Sequence, residues 1–78
     1  MEDFVDKKDS NGWTPLHEGA RGGNKGVVEL LVENGADINA KTNNGESPLW
    51  WVEKAHGKDH PLIAFLRELG AIKLGPEL

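Results

Sequence analysis

Two histidines in the second half of the chain are the side chains best placed for chemistry. His56 and His60 lie four residues apart, with Asp59 between them. Imidazole and carboxylate groups are zinc ligands, but a closed zinc site takes four of them. Gly57 and Pro61 interrupt the regular helix that would place both imidazoles on one face, and the window supplies no fourth ligand. We therefore expect no metal and no other cofactor.

Catalytic arrangements of other kinds are also missing from the sequence. It contains no glycine-rich phosphate loop, no nucleophile with a base beside it, and no carboxylate pair at a spacing that suggests a cleft. A chain of 78 residues forms one small domain. Such a domain buries only about 60% of its unfolded surface, which leaves no room for a large enclosed active site. We expect that the protein is not an enzyme.

The charge pattern and composition limit the partners and the compartment. The formal net charge is −4, and basic and acidic residues are interspersed, which argues against nucleic acid as a partner. No apolar run approaches the roughly 20 residues of a membrane span, so we expect no membrane partner. The start of the chain is acidic, unlike a signal peptide, and cysteine is absent. These features predict an intracellular, cytoplasmic protein.

The strongest signal is an internal repeat. Residues 12–16 (GWTPL) recur 33 positions later as residues 45–49 (GESPL). Residues 33–36 (ENGA) recur as residues 68–71 (ELGA), 35 positions later, so the second copy is longer by two residues. A period near 33 is typical of a repeat array. We therefore expect a binding role, although the sequence does not name the partner.

Each copy is predicted to form two helices. Thr14 and Ser47 are suitable N-cap residues, and each is followed by proline at the first helical position. The glycine pair 22–23 should end the first helix. The second helices carry apolar stripes, with Asn24 and Asp59 as their predicted caps. Their predicted stops are Gly35 and Gly70.

The segment between the helix pairs predicts a turn. Residues 37–45 are rich in turn formers and end in Asn-Gly, which favours a hairpin-like structure. Residues 4–12 align with this segment. We therefore assign one domain over residues 1–78, with repeat one at about 4–36, repeat two at about 37–71 and a tail at 72–78.

These motifs resemble the ankyrin repeat. The pattern DxxGxTPLH over residues 9–17 and the run GADINA over residues 35–40 match that family in residues and in spacing. The resemblance covers about residues 4–71, and the second copy departs from the pattern at Ser47 and Trp50, which replace threonine and histidine. It implies a mainly α fold, an ankyrin-repeat solenoid of helix-turn-helix pairs joined by β-turn or hairpin fingers. It also implies that His17 makes hydrogen bonds around the helix start.

The family resemblance further implies a non-catalytic module that binds a partner protein through a concave groove and the turn tips. An alternative is a C-terminal structural appendage of a larger, multidomain protein, in which the repeats dock or orient another domain or self-associate. The family pattern also makes Asn39, with Leu31 eight residues before it, a candidate for asparaginyl hydroxylation. The residues implied to bind the partner are Ser10, Asn11, Trp13, Arg21, Gly22, Asn43, Asn44, Glu46, Trp51, Lys54 and Ala55.

The tryptophans have two alternative roles. Trp50 and Trp51 point about 100° apart on a helix, so one ring can enter the core while the other faces elsewhere. An exposed ring there would be a binding anchor, whereas a packed ring would fill space created by the irregular second copy. Trp13 follows the turn glycine, at a position that varies in the family and faces the groove. A binding role is one interpretation; the alternative is that tryptophan is simply common at this position of the family.

The two ends of the array should differ. Arg67 stands where the first copy has Val32, and Glu53 stands where it has Ala20. Because a terminal repeat needs a polar outer face, this predicts a C-terminal capping repeat. The start has no such cap, which suggests a piece of a longer protein or a chain completed as a homodimer through its uncapped N-terminal face.

Overall fold

The computed structural model describes residues 4–76 of the chain. Within that range it contains helices and turns but no strand. Two antiparallel helix pairs follow each other, and the first helix of one pair packs against the first helix of the other. The fold is mainly α, as predicted. Its elements are a short 3-10 helix (Phe4–Asp6) and the helices α1 (Pro15–Gly22), α2 (Lys25–Glu33), α3 (Pro48–His56) and α4 (Pro61–Glu68).

Three of the four predicted N-caps are confirmed. The Thr14 hydroxyl accepts a hydrogen bond from the backbone N–H of His17 at 3.3 Å. Ser47 does the same at the start of α3, and Asn24 does so at the start of α2. Each cap satisfies one of the amide groups that a helix start leaves without a partner. Local sequence therefore fixes where these three helices begin.

The predicted cap of α4 was wrong by one residue. His60, not Asp59, is the N-cap, and its Nδ1 atom accepts a hydrogen bond from the backbone N–H of Leu62 at 3.1 Å. Proline occupies the first helical position because it has no N–H to donate, so Pro61 assigns the cap to the residue before it. The loop 57–60 is longer than its counterpart 23–24. The extra residues of the second copy therefore lie mainly in this loop, one of the two places predicted.

Two turn segments form fingers beside the helix pairs. In the first finger, the backbone N–H of Asp9 donates to the carbonyl of Trp13 at 2.9 Å. Gly12 lies in the left-handed region, with a φ of 80°, which only glycine adopts easily. A Cβ atom there would also lie 2.6 Å from the backbone nitrogen of Asn43 in the second finger. Gly12 is therefore required both by the turn and by the close approach of the two fingers.

The fingers are joined by direct hydrogen bonds. The backbone N–H of Asn43 donates to the carbonyl of Asn11 at 3.0 Å. The side-chain amide of Asn43 donates to the carbonyl of Ser10, also at 3.0 Å. These bonds fix the spacing of the two finger tips.

A single apolar core runs through both repeats. Its side chains come from all four α-helices, and the largest of them are completely shielded from solvent. Because a small domain buries a smaller fraction of its surface than a large one does, most of its stability depends on these few contacts. The fully buried apolar residues are Leu16, Ala20, Val28, Leu49, Val52, Leu62 and Leu66.

The segment after α4 pairs with the second repeat. The backbone N–H of Ser47 donates to the carbonyl of Leu74 at 2.8 Å. The Ser47 hydroxyl donates to the carbonyl of Ile72 at 2.7 Å and accepts from the N–H of Leu74 at 3.0 Å. The Asn39 side chain accepts from the N–H of Ile72 at 2.8 Å. The tail therefore covers the second repeat; hydroxylation of Asn39 stays a prediction.

We expect Ser47→Ala to lower the free energy of unfolding by about 2 kcal/mol, at the upper end of the range for an N-cap. The reason is that this hydroxyl serves both the helix cap and the tail. Thr14→Ala should cost about 0.5–2 kcal/mol through its own cap. Urea unfolding followed by circular dichroism measures both changes. Ser10→Ala, in an exposed turn, is the control, and an unchanged midpoint for Ser47→Ala would contradict this role of the cap.

Candidate functional site

His17 connects the two repeats from a fully buried position. Its Nδ1 atom accepts a hydrogen bond from the backbone N–H of Thr14 at 3.1 Å. Its Nε2 atom lies 2.8 Å from the carbonyl oxygen of Glu46, to which it donates. This pattern requires the neutral ring with its proton on Nε2. The hydrogen-bonding role that the family resemblance implied for His17 is confirmed.

Burial also affects the titration of this histidine. Desolvation lowers the pKa of His17 below its ordinary value, and hydrogen bonds to the carbonyls of Glu46 and Ala40 offset only part of that effect. Protonation would place a hydrogen on Nδ1, where the N–H of Thr14 already donates. The ring is therefore held neutral as a structural group.

An aromatic cluster lies next to this bridge. The rings of Trp13 and Trp51, from different repeats, have centroids 4.6 Å apart. Trp50 meets Trp51 edge-on at 5.0 Å. The Arg21 guanidinium lies 6.0 Å from the centre of the Trp13 ring. All three indoles are half-buried. We call Trp13, Trp51 and Arg21 the indole surface.

Glu46 supports the indole surface from within. Its side chain is only 5% exposed. The carboxylate accepts hydrogen bonds from the Thr42 hydroxyl at 2.8 Å and from the Trp51 indole N–H at 3.2 Å. Glu46 was predicted as a contact residue, but in the structure its carboxylate faces the protein. It positions Trp51 and does not present its own charge to a partner.

The other predicted residues are distributed around the indole surface. The finger tips are brought together by the bonds between Asn43 and the first finger. The helix positions lie at the ends of α1 and α3, in equivalent places of the two repeats. The exposed members of the predicted set are Ser10, Asn11, Arg21, Gly22, Asn43, Asn44, Lys54 and Ala55.

A second feature is an open groove beside α1. The sequence predicted an uncapped face at this end of the array, but not the set of residues that lines the groove. Its volume is about 790 Å³, and it is lined by Lys7, Lys8, Asp9, Trp13, Thr14, Pro15, Glu18, Gly19, Gly22, Asn24 and Val27. The positions 33 residues after Pro15 and Gly19 are Pro48 and Val52, and both are buried. Trp51, between them, contacts Trp13 of the first repeat. In repeat two this face is therefore covered by repeat one, whereas in repeat one no part of residues 4–76 fills it.

The opposite end of the stack carries charge. Glu53 pairs with Lys73 at 3.0 Å through one oxygen and with Arg67 at 3.4 Å through the other. The Lys73 ammonium, which bonds to this carboxyl, holds the pKa of Glu53 below its ordinary value. Beside these ion pairs is a cavity of about 230 Å³, which we call the lysine cavity; it is lined by Trp50, Glu53, Lys54, Lys58 and Lys73.

The two remaining histidines lie at the junction of α3 and α4. The rings of His56 and His60 are 4.7 Å apart. His56 Nε2 lies 2.7 Å from the carbonyl oxygen of Arg21, and His60 caps α4. In the part of the chain that the structure describes, no group of three or more His, Cys, Asp or Glu side chains is arranged to hold a metal ion. No helix between residues 4 and 76 combines the length and hydropathy needed to cross a membrane.

Part of the chain matches a known family model. Residues 11–43 match the family model described as the ankyrin repeat. The chain is 54% identical over 39 residues to a delta-latroinsectotoxin of Latrodectus tredecimguttatus, which covers 50% of this chain and 3% of the toxin. It is 44% identical over 46 residues to an ankyrin repeat-containing protein of Schizosaccharomyces pombe, covering 59% of this chain and 22% of that protein.

Two further relatives are also much longer than the matched segment. The chain is 44% identical over 55 residues to the Homo sapiens ankyrin repeat and IBR domain-containing protein 1, covering 70% of this chain and 5% of that protein. It is 49% identical over 41 residues to an E3 ubiquitin-protein ligase of Oryza sativa subsp. japonica, covering 53% of this chain and 9% of the ligase. This chain therefore spans a small part of each relative.

We expect the stability of the protein to fall as the pH is lowered below about 6.5, the ordinary pKa of histidine. The pKa of His17 is lowered by folding, so the unfolded chain binds a proton that the folded chain does not. Stabilisation is complete above the unfolded pKa and is lost as the pH falls towards the folded value. Thermal melts across this range measure the slope.

His17→Gln should flatten this pH dependence, whereas His56→Gln, at an exposed position, should preserve it. Equal slopes for the wild type and His17→Gln would contradict the assignment to the buried ring.

Proposed function

We propose, from the ankyrin repeat at residues 11–43, that this chain is a protein-binding module whose partner contacts the indole surface and the adjoining finger tips. Ankyrin repeats generally mediate protein-protein interaction and are typically non-catalytic. The observation that carries the proposal is the contact of Trp13 and Trp51 at 4.6 Å. Two partly exposed indoles from different repeats therefore lie side by side.

The indole surface has the properties of a binding hot spot. Tryptophan and arginine contribute more to interface energies than most other residues do. Trp51 is fixed by its hydrogen bond to Glu46, and Trp13 is packed against Trp51. Fixing these side chains before a partner arrives reduces the entropy lost on binding. The surface is therefore ready to contact a partner without rearrangement.

The finger tips extend this surface with polar groups. Ser10, Asn11, Asn43 and Asn44 are exposed, and the bonds between the fingers set their spacing. Such side chains can add directional hydrogen bonds at the rim of an interface, where they contribute to specificity. Lys54 and Ala55 extend the same side of α3. We assign no catalytic role to any of these residues, and the lack of cysteine suits an intracellular compartment.

A photoreactive side chain at Ala55 would identify a partner by cross-linking, with the same group at Glu33 on α2 as the control. The affinity of the purified partner is then measured by calorimetry for variants of this chain. Trp13→Ala should weaken binding by roughly 30-fold or more, as expected for a hot spot. Arg21→Ala, at an exposed position, tests the same surface without removing core contacts.

Leu30→Ala is the matched control, because Leu30 is 59% exposed and lies on α2. It should leave the affinity unchanged. A cross-linked partner that loses as much affinity with Leu30→Ala as with Trp13→Ala would place the interface elsewhere.

A second candidate function is that of a structural appendage that docks another domain or a second copy of the chain. The open groove favours this alternative, because the equivalent face of repeat two is covered. Burial of apolar surface contributes roughly 25 cal/mol per Å², so covering the groove would add substantially to a small domain. Relatives that combine ankyrin repeats with other domains also support it. The groove is lined by two basic residues, Lys7 and Lys8, and by two acidic residues, Asp9 and Glu18. This mixture of charges suits the pairing of two copies.

Gly22→Gln tests self-association through the open groove. A Cβ atom at Gly22 would meet nothing within 4 Å, so the single chain should keep its fold, while the longer side chain fills the groove. We expect wild type to form dimers at rising concentration in sedimentation equilibrium and Gly22→Gln to stay monomeric. Gly26→Gln, on exposed α2, is the matched control and should dimerise like wild type. A wild-type chain that stays monomeric at millimolar concentration would contradict the dimer.

A further inference from the structure

The basic side chains are distributed unevenly. Four of the nine lysines and arginines lie around the carboxylate of Glu53: Lys54, Lys58, Arg67 and Lys73. The chain as a whole has a formal net charge of −4. This end of the stack therefore carries local positive charge on an acidic protein.

Both oxygens of the Glu53 carboxylate already have ion-pair partners. One oxygen of Glu53 pairs with Lys73 and the other pairs with Arg67. The ammonium groups of Lys54 and Lys58 form no ion pair with any carboxylate among residues 4–76, and both residues are exposed. Among the described residues, two positive charges at the lysine cavity therefore have no ion-pair partner.

Trp50 connects the lysine cavity to the indole surface. Its ring lies against the backbone of Gly75, where a Cβ atom would collide with the indole. The same ring lines the lysine cavity and meets Trp51 edge-on at 5.0 Å. A partner that contacts Trp51 would therefore reach the lysine cavity within the same interface.

We propose that the lysine cavity binds carboxylate side chains from an acidic segment of the partner protein that contacts the indole surface. This inference rests on the proposed function and specifies the chemistry of the partner. Charge complementarity of this kind contributes to specificity and to the rate of association.

Carboxylate fits this cavity better than phosphate does. The cavity contains lysines, which act as separate point charges and can pair with either anion. Trp50 is the only lining residue in the first turn of a helix. Its backbone N–H already donates to the Ser47 hydroxyl, so no helix N-terminus offers free amides to a phosphate there. Its volume of about 230 Å³ suits one or two short side chains. The net negative charge of the chain opposes long-range attraction of nucleic acid.

Hexaglutamate is a suitable probe because it presents clustered carboxylates and needs no identified partner. Nuclear magnetic resonance of the full chain labelled with nitrogen-15 would follow the titration at low salt. We expect the largest shifts at the Trp50 indole N–H and at the backbone amides of Lys54 and Lys58. Raising the salt to roughly 0.15 M should weaken binding, because exposed charges are screened.

Two double variants distinguish the effect of charge at the lysine cavity from the effect of the net charge of the chain. Lys54→Gln with Lys58→Gln should weaken hexaglutamate binding roughly threefold to thirtyfold, the sum of two exposed ion pairs. Lys25→Gln with Lys41→Gln changes the net charge equally at exposed positions elsewhere and should leave the affinity near that of wild type. Equal weakening by both pairs would overturn the proposal, as would shifts centred away from Trp50.

A titration with inorganic phosphate tests whether the lysine cavity prefers carboxylates. If phosphate shifts Trp50 as strongly as hexaglutamate does at the same total charge, the assignment to carboxylates is overturned. The indole surface is tested separately by Trp13→Ala with the cross-linked partner. Failure there would refute the proposed function while leaving the hexaglutamate result intact, and failure of hexaglutamate would refute only the acidic segment.

Discussion

The hydrogen bond from His17 Nε2 to the carbonyl of Glu46 is the contact on which the arrangement of the two repeats depends. It joins the start of α1 to the second finger. The same residue, Glu46, uses its carboxylate to hold the Trp51 indole, and Trp51 packs on Trp13. The Trp13 ring in turn lies 5.7 Å from the His17 ring. A buried neutral histidine thus connects the stacking of the repeats to the geometry of the indole surface.

The two ends of the stack differ in the side chains that they expose. At one end Trp50 takes the position that His17 holds in the first repeat, and the tail bonds to Ser47 where a further finger would lie. Ion pairs around Glu53 make that end polar. At the other end the open groove keeps the shape of a stacking face. One end of the stack is therefore covered by ion-paired side chains, and the other end has an open groove that an apolar surface could fill.

Much of the fold could be predicted because local chemistry determines it. Thr14 and Ser47 before prolines set helix starts, and Gly12 sets a turn, whatever the rest of the chain does. The burial of Glu46 could not be predicted, because it depends on a hydrogen bond to an indole that only the folded chain brings near. The lysine cavity could not be predicted for the same reason, since Lys54, Lys58 and Lys73 come from α3, a loop and the tail. Trp13 and Trp51 were identified by residue type, but their contact required the stacked repeats.

The close packing of the tryptophans also has an optical consequence. Indoles packed with centroids 4.6 and 5.0 Å apart are held in a fixed, asymmetric environment, and rings held in this way produce a signal in near-ultraviolet circular dichroism. Trp13 belongs to the first repeat, whereas Trp50 and Trp51 belong to the second. The contribution that the contact between Trp13 and Trp51 makes to this signal exists only while the repeats are stacked. The protein thus carries an intrinsic spectroscopic reporter of the contact between its two halves, distinct from the far-ultraviolet signal of its helices.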